Sequence, residues 1–462
     1  MQDLIQLLGG QPPRVPVVTV SRADDDPAAL RAWRVLRERA FVDRLGLFEG
    51  SDLDAADADP ATVVLVATVL GEVVGGVRLH PVAGTDPALG WWQGGRLVCS
   101  PSPARGVGSA LVRAACAVAE AAGVLRFEAT VIEANAGLFD RLGWERVRPV
   151  EVRGAPHQLM RWPVERVAAL VQATKSELGP LLADVRPGGD GWVGDDAAPV
   201  PGSDGVASVD AILPAMVARD PVWAGWCGIL VGAGDLAAMG AVPRGVLDAL
   251  GAPTAAPAAQ VLHGLRAASD AFALPILGGH TQLGVPASLA VTALGSTSRP
   301  VPSGGGRPGH DVRLTVDLGG GWRPGYQMRQ WDSTSIRTRG ELAAMLSVVA
   351  RGAPSAAKDV SMAGLVGTLG MLAEASGCGA ELDVATVPRP TGVPMGDWAT
   401  CFPGTGLLSA DEPGRAWPDA GPAATAVCGR LTTGQGVRLR WPDGEVTTVL
   451  SGSVTGMGPA GG

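Results

Sequence analysis

Between residues 60 and 132 the chain switches between two hydrophobic rhythms. Val63 to Leu70 and Val73 to His80 are β-branched runs joined at Gly71-Glu72, which predicts an antiparallel hairpin. Arg96 to Cys99 predicts a further short strand. From Gly108 to Ala122 the apolar positions Leu111, Ala115, Val118 and Ala122 recur with helical spacing, and Gly123 stands where a helix C′ residue belongs. Leu125 to Ile132 is again strand-like, and Pro27 to Arg44 predicts a polar helix ahead of the hairpin. Strands of this kind around helices read as α/β or α+β.

Beyond Arg153-Gly154-Ala155-Pro156 the rhythm changes. A helix is expected over Val164 to Leu178, followed by Gly188 to Gly191 and the acidic segment Gly194-Asp195-Asp196-Ala197-Ala198. A long helix of small residues, Val222 to Gly240, stops at Pro243. Strand-like Pro275 to Leu277 runs into Gly278-Gly279-His280-Thr281, and Ser288 to Leu294 is a further strand. A Gly-rich loop, Pro302 to Pro308, opens a third region with helices near Glu341 to Ala350 and Gly364 to Ala375. Strands Gly436 to Trp441 and Val446 to Leu450 close it. At 462 residues the chain exceeds one hydrophobic core. The expected division is 1–160, 161–300 and 301–462.

Hydrophobic residues make up 46% and charged residues 18%, an ordinary globular balance. Lys175 and Lys358 are the only lysines. The net charge of −8, a single Tyr and no basic stripe exclude nucleic acid as an expected partner. Met1 to Arg14 lacks the basic and apolar order of a signal peptide. Trp226 to Val242 is interrupted by Asp235, so no membrane partner is expected. Six scattered cysteines without C-x-x-C spacing fit reduced thiols, and the expected location is cytoplasmic.

The segment from Arg96 through Arg105-Gly106-Val107-Gly108-Ser109-Ala110 to Leu111 reads strand, tight loop, helix. Glycines there let backbone approach a ligand, and the free amides opening the helix face a phosphate. This region resembles a GNAT-type N-acetyltransferase over roughly residues 30 to 150. Pro103 to Gly108 resembles the family's acetyl-CoA loop, with Pro103 in place of its Arg or Gln. Asn135-Ala136-Gly137-Leu138-Phe139-Asp140-Arg141-Leu142-Gly143-Trp144 resembles its second landmark. The resemblance implies a mixed sheet with helices that binds acetyl-CoA through Val98, Arg105, Gly106, Val107, Gly108, Ser109, Ala110, Asn135 and Phe139. Catalysis in such a site is mostly positioning and carbonyl polarisation. Where the family often carries a Tyr acid, this chain has Phe139. Glu128, on the preceding strand, is the candidate base for the amine, its plainer reading being a solvated side chain. Arg37 to Asp59 resembles the acceptor side of acyl-homoserine-lactone synthases, its plainer reading being a surface helix and loop.

In the second region carboxylates stand on small-residue frames: Asp195-Asp196, Asp210 after Ser208-Val209, and Asp235 within Gly234 to Pro243. Magnesium takes hard oxygen ligands and bridges to phosphate, and Gly and Ala leave room for a nucleotide. With Gly278 to Thr281 and Asp359-Val360-Ser361, these motifs resemble in order those of the AIR-synthase superfamily, thiamine-monophosphate kinase most closely, over roughly 165 to 455. The resemblance implies a two-subdomain α+β fold, with an N-terminal, dimerising half over 161–300. It implies magnesium on Asp195, Asp196, Asp210, Asp235 and Asp359, ATP at Gly279, His280 and Thr281, and a homodimer through this half. Two departures stand out. His280, either a hydrogen-bond donor to phosphate or a plain loop residue, replaces the kinase's Asp, as in selenophosphate synthetases, and Met362 replaces the second Asp of D-x-S-D-G-L. Lys358 is a candidate for neutralising phosphate charge, or else a solvated residue.

The fused order also resembles bacterial proteins found with nitrogen-scavenging genes. The expected function is bifunctional: acetyl transfer to an amine, and ATP-dependent phosphoryl transfer or activation of a small metabolite. The alternative is a nucleotide or acetyl-CoA sensor without turnover in one or both halves.

Overall fold

The computed structural model describes residues 17–24, 26–100 and 104–461. Pro103, the departure in the acetyl-CoA loop, lies outside the described residues. The chain forms two compact units, the first ending at Val164 with Pro394–Gly396 added, the second holding Glu165–Val393 and Asp397–Gly462.

The first unit is built on a seven-stranded sheet. Its strands are β1 (Thr19–Arg22), β2 (Val63–Val69), β3 (Glu72–Pro81), β4 (Trp91–Cys99), β5 (Arg126–Ile132), β6 (Glu145–Val152) and β7 (Ala155–Trp162), in the order β1-β2-β3-β4-β5-β7-β6. All neighbours are antiparallel except β4 and β5. The β2–β3 hairpin turns at Leu70-Gly71, both at positive φ. One face of the sheet buries Leu79, Phe127 and Met160 against Leu111 and Ala115 of helix α2 (Val107–Ala121). The other face buries Val64 and Val66 against Trp33 of helix α1 (Pro27–Arg37). Each face costs its helix one apolar stripe, which is why both helices read as amphipathic. Gly123, at φ +74, closes α2 as its position suggested. The predicted helix over Pro27 to Arg44 is shorter: after Arg37 it widens into a π-helical turn, Glu38–Arg44. π-turns of this kind are frequent at functional sites.

The second unit holds two larger sheets. The first contains β8 (Ala198–Pro199), β9 (Gly205–Ile212), β10 (Val242–Ala252), β11 (Ile276–Leu283) and β12 (Ser288–Ser296), in the order β11-β10-β12-β9-β8. Helix α4 (Pro221–Ala238; α3 is Ala136–Arg141 of the first unit) and helix α5 (Ala255–Phe272) belong to the same apolar core, with Ile229, Leu236 and Leu265 buried among Val246, Leu250 and Val291. By length and composition α4 is apolar enough to cross a membrane, yet most of it is buried inside this unit. A helix wrapped by sheet and helix has no wet face, which accounts for its lack of amphipathic pattern.

The second large sheet contains β13 (Asp311–Val316), β16 (Ala356–Asp359), β17 (Gly379–Asp383), β18 (Gly406–Asp411), β19 (Ala424–Thr432), β20 (Val437–Arg440) and β21 (Val446–Leu450), ordered β16-β18-β13-β19-β17-β20-β21. A two-stranded ribbon pairs β14 (Gly321–Trp322) with β15 (Trp331–Asp332). Helix α6 (Gly364–Ala375) is almost wholly buried.

Several expectations change here. Gly278 to Thr281 is not a loop after a strand but the middle of β11, so its residues are fixed by ladder bonds to β10. Val164 to Leu178 divides into helices Arg166–Thr174 and Leu178–Leu182. The strand β10 and helix α5 carried no clear sequence signal. Val242 to Ala252 contains Pro243, Arg244 and Asp248, and it becomes a central strand because β11 and β12 pair with both of its edges.

Candidate functional site

In the first unit the decisive feature is where two parallel strands part. β4 and β5 pair from Trp91 with Arg126 to Gly94 with Ala129, and beyond that point each keeps only its outer neighbour, β4 with β3 and β5 with β7. The wedge leaves backbone groups of Gly95 onward unpaired on the β5 side, free to meet a ligand. A β-bulge opposite Gly76–Arg78 and a positive φ of 55° at Arg96 accompany the divergence. α2 begins beside it with Gly106 as N-cap at φ +81, a conformation that a side chain would strain, and among the described residues no side chain caps its first amides. Those amides and the helix dipole suit a phosphate.

A cavity of about 670 Å³ runs through the wedge, lined by Val98, Gly108, Asn135 and Phe139 among others. Four of the residues expected to hold acetyl-CoA thus line one cavity. Arg105 and Gly106 are exposed in the loop, and Val107, Ser109 and Ala110 form the first turn of α2. Phe139 packs edge-on against Trp144, with ring centroids 5.2 Å apart, and has no proton to give.

Glu128 does not line this cavity. It is 2% exposed and accepts from Arg161 Nη2 at 2.6 Å and Trp91 Nε1 at 3.2 Å, with Arg126 Nη2 3.0 Å away. Buried outside the cavity with its oxygens already bonded, this carboxylate is not placed to meet an amine there, which corrects the role expected of it. Sequence reasoning also missed a polar network on the α1 face. Arg37, fully buried, bonds Asp52 at 2.8 Å and Asp57 at 2.5 Å; Arg78 bonds Asp54 and Asp57, both at 2.7 Å; Arg96 bonds Asp54 at 2.9 Å. Burial pushes the Asp57 carboxyl up, but the Arg37 bonds outweigh it and hold the group well below its usual range. Three arginines and three aspartates from four separate segments make a neutral raft, of which Asp54, Arg78 and Arg96 line the cavity. No local spacing announces such a cluster.

In the second unit the acidic motifs do converge. Asp196, Asp235 and Asp359 each offer an oxygen within 4.8 Å of the others. Asp196 comes from the loop before β8, Asp235 from the last turn of α4, and Asp359 from the end of β16. Lys358 Nζ bonds Asp196 Oδ1 and donates to the Gly194 carbonyl at 2.9 Å, while the Asp359 amide donates to Asp196 Oδ2 at 2.9 Å. Lys358 is therefore a buried clasp for the loop and not a solvated residue.

Asp210, on β9, bonds Asp235 and helps raise its pKa. Burial first, then Asp359, pushes the Asp235 carboxyl well up, and burial and Asp196 do the same to Asp359. Asp235 Oδ2 is buried with no hydrogen-bond partner. Acids gathered this closely repel unless a proton or cation intervenes, and an unpartnered buried oxygen suits a hard cation. The donor set fits magnesium, held by Asp196, Asp235 and Asp359 with Asp210 adjoining.

Asp195 stands apart from its neighbour. Its Oδ1 accepts from the Ser303 amide at 2.7 Å and from the Ser303 hydroxyl, and burial pushes it up to about 6. It pins the Gly-rich loop and is not among the three converging carboxylates. Gly279, His280 and Thr281 lie exposed on the edge strand β11, and no side-chain hydrogen bond among the described residues ties them to the acids. Met362 is about half exposed just past Asp359.

Comparison with known proteins gives the same division. The acetyltransferase (GNAT) family model matches residues 28–144, and the AIR synthase related N-terminal and C-terminal domain models match 194–297 and 328–441. An uncharacterized protein of Synechocystis sp. is 35% identical over 229 residues, 48% of this chain and 70% of that protein. The thiamine-monophosphate kinase of Halobacterium salinarum is 30% identical over 267 residues, 53% of this chain and 90% of the kinase. Among solved structures, thiamine-monophosphate kinase from Aquifex aeolicus is 20% identical with a TM-score of 0.43, covering 55% of this chain and 92% of its own.

The fold class is therefore a mixed α/β multidomain protein in which a GNAT-family acetyltransferase domain precedes an AIR-synthase-related module. The chain belongs to the AIR-synthase-related family and carries a GNAT-family domain ahead of that module.

Proposed function

We propose that this protein is a bifunctional enzyme: an acetyl-CoA-dependent N-acetyltransferase joined to a magnesium- and ATP-dependent module that transfers or activates a phosphoryl group on a small metabolite. The observation that carries the first half is the parting of β4 and β5 at Gly94 and Ala129 beside the uncapped start of α2. A wedge of that shape holds a thioester arm against backbone amides, so an amine meets a polarised carbonyl. The converging carboxylates carry the second half. Magnesium bound there would bridge phosphate oxygens and neutralise their charge. Asp196 and Asp359 would orient it, Lys358 would hold the loop that presents Asp196, and small residues around Asp235 would leave room for the nucleotide.

The module works as a homodimer in this reading. Val209 and Leu247 both pair with Thr292, so they share one sheet face, and both are exposed. An open apolar face of that kind calls for a partner.

The test is release of CoA from acetyl-CoA and of ADP from magnesium-ATP in the presence of a metabolite pool. Release of both supports the bifunctional enzyme. Tight binding of both ligands without release supports a sensor, the reading that Phe139 and Met362 favour, since each replaces a reactive family residue with an inert one.

A further inference from the structure

The acceptor end of the first unit's cavity has its own chemistry. Among the described residues, three arginines line the cavity: Arg44, Arg78 and Arg96. The latter two are spent on Asp54 and its neighbours, leaving Arg44 as the lining guanidinium with no carboxylate partner among the described residues. It stands at the end of the π-helical turn, beside an apolar wall of Phe41, Leu47 and Phe48. The Phe48 ring carries the guanidiniums of Arg96 at 4.4 Å and Arg153 at 4.8 Å. An apolar slot with an unneutralised guanidinium at its edge selects an anionic group on an otherwise apolar molecule.

His80 faces the same space. On β3 it pairs across to Gln93 of β4, one residue before the last β4–β5 pair at Gly94. Its Nδ1 lies 2.8 Å from the Pro81 carbonyl, an acceptor only, so Nδ1 carries the hydrogen and Nε2 keeps its lone pair.

Resting on the acetyltransferase reading, we propose that the acetyl acceptor is an amino acid with an apolar side chain. Its carboxylate is held by Arg44, and its amine is deprotonated by His80 Nε2. The acceptor ammonium gives one proton to Nε2, which passes it to solvent. The freed lone pair forms the N–C bond to the acetyl carbonyl, and the C–S bond breaks with its electron pair on sulfur. The nitrogen's second proton goes to the departing thiolate, giving neutral amide and CoA thiol. This balance needs no tyrosine acid, in keeping with Phe139. Burial lowers the pKa of His80 and keeps it neutral; the charged groups facing it are Arg78 on its own strand and Asp54 and Asp59 from the segment before β2.

The test is steady-state acetylation by the full-length protein, using common amino acids, their carboxamides and the matching decarboxylated amines. Calorimetry with acetyl-CoA accompanies every variant and reports that each still folds its cavity. Apolar amino acids should be the best substrates. Arg44→Met should raise their KM about tenfold or more, as expected for a lost charge-assisted contact, and lower the preference for acid over carboxamide by the same factor. His80→Gln should lower kcat about a hundredfold or more and remove the acid limb of the kcat/KM–pH profile, with acetyl-CoA affinity kept. Three results would overturn the proposal: equal turnover of amines lacking a carboxylate, an Arg44→Met effect on acetyl-CoA affinity in place of acceptor KM, or an unchanged pH profile in His80→Gln. Acetyl-CoA binding without acetylation of any amino acid overturns it too. If wild-type protein binds no acetyl-CoA at all, the acetyltransferase reading itself has failed.

Discussion

Gly234 lies against the carboxylate of Asp359: a Cβ placed at 234 would stand 3.0 Å from Asp359 Oδ2. The helix therefore carries a glycine beside Asp235 because the sheet strand β16 brings a second acid into that space. Gly234→Ala sets two effects against each other. Helix propensity favours Ala by about 1 kcal/mol, while the added methyl pushes Asp359 away from Asp196 and Asp235. We expect apo stability to change little and magnesium-dependent nucleotide affinity to fall about fivefold, roughly 1 kcal/mol. Thermal scans and titration calorimetry on one preparation separate the two effects.

The acid cluster also sets a pH dependence. Asp195, pushed up to about 6, and Asp235 and Asp359, pushed up from 3.8, all have folded-state pKa values above their unfolded ones. Their penalty is absent below the unfolded value, grows as pH rises past it and is complete above the folded value. Magnesium bound as proposed would replace the protons on Asp235 and Asp359 and remove their share. The gain in Tm on replacing EDTA with magnesium should thus be larger at pH 8 than at pH 5. Equal gains at both would speak against a cation among these acids.

How much of this was legible beforehand follows from the physics of each feature. The hairpin, α2 with Gly123, and α6 were readable because their signals are local: alternation, helical spacing and a cap. The carboxylates of Asp196, Asp235 and Asp359 were readable through motif order, although Asp195 was grouped with them and in fact turns to Ser303. Two adjacent residues in a tight loop point different ways, and sequence does not say which faces the site. Glu128 looked available because its partners, Arg126 apart, lie far along the chain. The raft of Arg37, Arg78 and Arg96 with Asp52, Asp54 and Asp57 exists only once β3, β4 and α1 have packed. β10 was missed because its strand character comes from its two neighbours and not from its own residues.

That raft makes its own prediction. Arg37 is fully buried between Asp52 and Asp57, so Arg37→Met leaves two carboxylates without their principal counter-charge. Breaking a buried pair in this way costs about 3–5 kcal/mol, which denaturant unfolding of the first unit should register. Asp57 is held low by Arg37, so its contribution is present above the normal carboxylate range and is lost as pH falls through its depressed value. The deficit of the variant should accordingly shrink in acid.

Assembly is tested at the exposed sheet face. Leu247→Asp puts a charge on β10, between β11 and β12, on the sheet face it shares with exposed Val209 across Thr292. Light scattering should show a dimer for the wild type and a monomer for the variant. A wild-type monomer at micromolar concentration, with and without nucleotide, would contradict the proposed dimer.

The central claim is that one chain binds two different nucleotide-bearing ligands at two independent sites. The most direct measurement is reciprocal titration calorimetry of wild type, Gly108→Asp and Asp235→Asn with acetyl-CoA and with magnesium-AMPPCP. A Cβ at 108 meets Cys99 Sγ and Leu138 Cδ2 at 3.6 Å, ordinary contacts, so the aspartate adds charge to the cradle without breaking it. Gly108→Asp should lose about tenfold or more in acetyl-CoA affinity, roughly 1.4 kcal/mol, and keep its nucleotide heat. Asp235→Asn should lose magnesium-nucleotide binding and keep acetyl-CoA, because sites in separate compact units do not share partners. Wild-type protein that gives no heat with either ligand, or variants that weaken both ligands alike, would contradict the account.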